Sequence, residues 1–77
     1  MGQNAALAKR LKELMTEKGV SYQVLAEKSG LPVRRIQRMA MGTVSNPGVF
    51  VMMRICNGLG ITLDEFFGTE ELQSFAK

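Results

Sequence analysis

Arg34, Arg35 and Arg38 fall within five positions of this 77-residue chain, and the chemistry they offer is anion recognition. The segment around them, Pro32 to Met41, has helical character. Turning 100° per residue from Ile36 keeps Met39 and Ala40 near the buried side and sends Arg34, Gln37, Arg38 and Met41 away from it. Arg34 and Arg38 are four apart, so their guanidinium groups project from one exposed face and repel each other. No acidic residue lies between Lys28 and Asp64. Phosphate oxygens or guanine edges would supply the missing counter-charge, since both accept paired hydrogen bonds from a guanidinium group.

Other chemistries lack their residues. The chain has no histidine and one cysteine, Cys56, so the usual zinc clusters, an internal disulfide and Ser-His-Asp catalysis cannot be assembled. Cys56 reads as a buried, inert thiol at a helix contact. The acid pairs Asp64/Glu65 and Glu70/Glu71 sit where helices begin, and dipole stabilisation explains them more simply than catalysis does. The expectation is no metal, no cofactor and no enzymatic activity.

The elements that hold the arginines follow from periodicity and punctuation. An apolar content of 45% and a charged content of 22% describe one globular domain over 1–77, with no strand pattern, repeat or low-complexity segment. No apolar run approaches the roughly 18 residues that span a bilayer, and Met1 to Ala8 does not read as a signal peptide; a cytoplasmic location is expected. The spacing predicts an all-α domain with helices over about 4–18, 22–29, 32–41, 48–58 and 62–67, and a short C-terminal helix over 69–75. Leu7, Leu11, Leu14 and Met15 mark the inner side of the first helix, with Asn4 and Gly19 as its caps. Val49, Met52, Cys56 and Leu59 form the stripe of the fourth, which the pair Gly58/Gly60 is expected to break. Thr62-Leu63-Asp64-Glu65 has the form of a capping box.

Charge follows the same partition. Residues 1–54 hold nine Lys/Arg against three Glu, about +6, while the remainder is acidic, leaving +3 overall. The basic surface therefore accompanies the arginine-bearing helix, as expected for a polyanion ligand.

Between Ser21 and Met41 two short helices meet at Gly30, which can take positive φ, with Ala26 at a close helix crossing and Leu31, Ile36 and Met39 entering the core. That plan is a helix-turn-helix. The chain resembles the XRE family of lambda-repressor and Cro-like helix-turn-helix proteins through Leu-Ala-Glu-Lys-Ser-Gly-Leu (25–31), Ile36, Asn46-Pro47, Ile55 to Ile61 and Leu63-Asp64-Glu65-Phe66-Phe67. The resemblance implies a compact five-helix domain that binds duplex DNA, usually as a dimeric repressor on a palindromic operator. It places Val33, Arg34 and Arg38 at base edges, and Tyr22, Gln23, Arg35, Gln37, Thr43 and Asn46 at the DNA backbone or groove. Two readings stay open for Val33, a thymine-methyl contact or helix packing, and two for Tyr22, a phosphate donor or a packed ring.

The chain also departs from the family. Tyr22 stands where a glutamine commonly opens the first motif helix, and Pro32 replaces the usual hydroxyl cap of the second. Met15 and Ala40 occupy the positions of a frequent arginine–glutamate pair. Losing both partners avoids the stranded charge, costing about 3–5 kcal/mol, that losing one would leave. It also predicts that the two side chains meet.

Val44, Phe50, Val51 and Met53 exceed what one core can absorb, so a homodimer is expected through helices four and five or the C-terminal tail, with Phe50, Met53, Phe67, Leu72 and Phe75 as its contacts. The leading expectation is a sequence-specific repressor or autoregulator. The alternative is a protein-interaction module such as an antitoxin-like partner.

Overall fold

The computed structural model describes residues 3–43 and 47–74. Among them the order is α1 (Gln3–Lys18), α2 (Tyr22–Ser29), α3 (Val33–Ala40), α4 (Val49–Leu59), α5 (Leu63–Phe67) and the single turn α6 (Glu70–Gln73), without a strand. Phe66, Leu11, Leu25, Ile36 and Ile55 are its largest fully buried side chains, and they come from five different helices. One core therefore serves all five. α4 packs chiefly on α2, while α3 is held between α1 and α2.

Each helix stops for a local reason. Gly19, Gly42 and Gly60 have positive φ and close the same motif after α1, α3 and α4. After α1, the Gly19 N–H donates to Thr16 O at 3.2 Å and the Val20 N–H to Met15 O at 3.0 Å. These paired bonds satisfy carbonyls that the helix end leaves open. Thr62 caps α5 with the reciprocal bonds of a capping box: its Oγ1 accepts from Glu65 N at 3.1 Å, and its own N–H donates to Glu65 Oε1 at 3.2 Å.

Several sequence expectations require correction. Asn4 lies inside α1, which starts one residue earlier, and Pro32 and Met41 are the caps of α3 rather than its end residues. Gly58 does not break α4; it is a buried position within the helix. A Cβ built on it would stand 2.8 Å from Leu25 Cδ1 and 3.2 Å from Ser29 N, so glycine permits the close crossing of α2 and α4. Gly60 supplies the stop.

Val49 is 59% exposed, although it shares the angular stripe of Met52, Cys56 and Leu59. Periodicity gives a side chain's angle around the axis; it does not say how far along the axis the neighbouring helix reaches, and burial in α4 starts at Met52. Ile55, fully buried, joins the stripe instead. Met15 and Ala40 are both buried in the core cluster, in the helices α1 and α3 that pack together.

Arg10 has a structural use that the residue pattern hides. Its Nε donates to Phe66 O at 2.8 Å and its Nη2 to Glu65 O at 2.6 Å, closing the end of α5 from α1. Nη1 lies 3.9 Å from Glu13 Oε1. This arginine is committed within the fold.

Candidate nucleic-acid interface

The interface is assembled by α2, its turn and α3. Ser21, with extended backbone (φ −86°, ψ 169°), caps α2 by accepting from Val24 N at 3.2 Å. At the other end the Gly30 N–H donates to Ala26 O at 2.9 Å with φ +74°, a conformation that costs glycine little. The buried Ser29 hydroxyl completes the turn: Oγ donates to Ala26 O at 3.4 Å and accepts from Leu31 N at 3.3 Å. The sequence places the end of α2 at Ser29-Gly30 and assigns the sharp turn to Gly30. The role of the Ser29 hydroxyl was missed because a serine beside a turn glycine is common, and only the geometry shows it bridging both sides.

α3 leaves that corner with Pro32 as its cap. Pro32 contributes no side-chain acceptor, its carbonyl takes the Arg35 and Ile36 N–H groups at 3.1 and 3.3 Å, and no acid occupies the first turn. Both the helix dipole and the side chains therefore make this end positive. Ile36, Met39 and Ala40 are buried; Arg34, Arg35, Gln37 and Arg38 are exposed. Arg34, Arg35 and Arg38 line one shallow groove with Pro32. None of the three guanidinium groups has an ion pair or hydrogen-bond partner among the described residues.

The remaining candidate residues divide by exposure. Gln23 is exposed at the start of α2. Tyr22 is half-buried and packs against the core, lining a groove with Met15, Thr16 and Val20, so its ring spans the junction of α1 and α2. Val33 is also half-buried against the core and keeps part of its surface open beside Arg34. Thr43 is exposed, but its hydroxyl already donates to Arg38 O at 3.1 Å and its N–H to the same carbonyl at 3.1 Å, which fixes the end of α3. Asn46 lies outside the described residues, as do Val44 and Phe75.

The expected association surface is only partly free. Phe50 and Met53 are 75% and 46% exposed on α4. Leu72 is instead buried in the core, because Thr69 Oγ1 accepts from Leu72 N at 3.3 Å and starts α6 against α1. Phe67 is half-buried, and its ring meets Phe66 edge-on with centroids 5.0 Å apart. Leu72, which the sequence offers as partner surface, closes this chain's own core.

Cys56 is buried in the core. Its burial, and secondarily the Glu65 carboxylate, push the thiol above its ordinary value, so it is not poised as a nucleophile. Among the described residues no group of three His, Cys, Asp or Glu side chains is placed to hold a metal ion. No described helix is long and apolar enough to cross a membrane.

The family model described as the Cro/C1-type helix-turn-helix DNA-binding domain matches residues 10–71, a span that contains α2, α3, α4 and α5 whole. The chain is also similar to the crystal structure of a point mutant of the restriction-modification controller protein C.Esp1396I, with a TM-score of 0.79 and 25% identity over 95% of this chain and 89% of that one. No curated protein matches the chain by sequence.

Proposed function

This chain belongs to the Cro/C1-type helix-turn-helix DNA-binding domain family, and we propose that it is a cytoplasmic homodimeric repressor or autoregulator that lays α3 in the major groove of a palindromic operator. DNA binding in transcription regulation is the activity of that family. The observation that carries the finer reading is the exposed groove of Pro32, Arg34, Arg35 and Arg38, whose cations are unpaired among the described residues. Arg34 and Arg38 would each donate two hydrogen bonds to guanine O6 and N7, and Val33 would touch a thymine methyl. Arg35, Gln37, Gln23 and Tyr22, with Thr43 and Asn46 beyond the helix, would hold the backbone or line the groove.

The exposed Val49, Phe50 and Met53 on α4 support a homodimer. A two-fold pair would set two α3 helices about 34 Å apart, one helical turn of DNA. The likeness to a restriction-modification controller protein supports a regulatory role.

The same apolar face favours one second reading, an antitoxin-like module bound to a protein partner. Titrating the chain with its own upstream duplex and with random duplex across a salt series separates the two. Tighter binding to the upstream duplex, weakening with salt, supports the regulator; binding to neither duplex would leave the protein-partner reading standing.

A further inference from the structure

We infer that Lys9, Lys12 and Thr16 on α1 form a second DNA-backbone edge, gripping phosphates beside the C-terminal end of α3; this rests on the duplex-binding function proposed above. The three residues are spaced i, i+3 and i+7, so they form one row along α1. All three are exposed, and all three line a single open groove whose opposite wall is Ala40, Met41 and Gly42.

The end of α3 reaches α1 because Gly42 lies close against it. A Cβ on Gly42 would stand 3.6 Å from Asn4 O and 3.8 Å from Ala8 Cβ, and its φ of +76° makes the turn. Met41, 72% exposed, is three residues after Arg38 on the same side of the helix. The arginine face of α3 therefore continues through Met41 into the groove that holds the row.

The chemistry of the row suits a phosphate chain. An ammonium group and a hydroxyl donate to phosphate oxygens without reading sequence. Lys12 has no ion-pair partner among the described residues, whereas Arg10 in the same groove is tied to α5 and to Glu13. Glu13, paired with Arg10, and Glu17 also line the groove and oppose an anion there. A helix seated in the major groove has phosphates along both rims, and a donor row on an adjoining helix meets one rim while α3 faces the bases.

The test is fluorescence anisotropy of the full chain on its upstream duplex and on random duplex at 50–200 mM salt. A fourfold rise in salt costs each phosphate contact about 3.5-fold in affinity. Lys12→Gln should therefore lower the salt slope by about one contact and weaken binding equally on both duplexes. Lys9→Gln should act in the same direction, and Glu17→Gln should tighten binding to both. Circular dichroism and thermal melting establish that each variant folds. An unchanged slope and affinity in a folded Lys12→Gln would overturn the inference while leaving the regulator reading intact. Failure of the unsubstituted chain to bind either duplex would overturn both.

Discussion

Arg10 Nε donates to the carbonyl of Phe66 at 2.8 Å, joining residues 56 positions apart. The bond, with its companion to Glu65 O, gives the end of α5 the donors it lacks. Hydrogen bonds from a charged group contribute about 1.5–3 kcal/mol each in mutational series. Arg10→Met should keep the stem's packing and lose both bonds. We expect about 2 kcal/mol less stability in urea unfolding, with no sequence-dependent change in DNA affinity. A loss below a few tenths of a kcal/mol would show the guanidinium to be replaceable by water.

Gly58→Ala sets two effects against each other. Alanine improves helix propensity by up to about 1 kcal/mol. Overpacking costs about 1–3 kcal/mol, and the new methyl would stand 2.8 Å from Leu25 Cδ1, whose side chain is fully buried, and 3.2 Å from the Ser29 backbone nitrogen. Overpacking should win, and the melting temperature should fall. Because Ser29 holds the α2–α3 corner, affinity for duplex DNA should weaken as well. An unchanged or raised melting temperature would show that α2 shifts freely.

Arg34→Ala and Arg38→Ala should each remove about 1–3 kcal/mol of discrimination between the operator and a variant with one guanine changed. Arg35→Ala should weaken binding to all duplexes alike. Quantitative binding to single-base operator variants separates these patterns. Uniform losses across all variants would convert Arg34 and Arg38 into phosphate contacts.

The Cys56 thiol predicts an alkaline limit. Its folded pKa is raised, chiefly by burial, so the native chain retains a proton that the unfolded chain loses above about pH 8.5. Its contribution is intact below that pH and declines as pH rises toward the folded value. The urea midpoint should therefore fall between pH 7.5 and 9.5, and less steeply in Cys56→Ala. Equal slopes in the two proteins would assign the decline to other groups.

Much of this architecture was legible because it is local. Caps at Ser21, Thr62 and Thr69 and stops at Gly19, Gly30, Gly42 and Gly60 act within one turn of their own position. They need no distant partner to be recognised. The exposed face of α3 was equally legible, since helical angle and the burial of Ile36 alone place Arg34 and Arg38 outside.

The misses share a different cause. Leu72 and Phe50 are both large and apolar near helix starts, yet one closes the core and the other stands in solvent. Gly58 looked like a stop because its space is consumed by Leu25 and Ser29 of another helix. Nothing in the residues around Arg10 announces its structural use, because its acceptors lie at the far end of the chain.

By itself, then, the order of residues determined where most helices start and stop, which side of α3 carries its arginines, and that this exposed face is cationic. Dihedral preference, capping and helical period are short-range, so composition and spacing express them directly. Only the tertiary structure decided that Arg10 serves the fold, that α6 folds back on α1, and that the lysine row of α1 borders the end of α3. Those depend on how far one packed surface reaches along another, and no periodicity in a single helix encodes that distance.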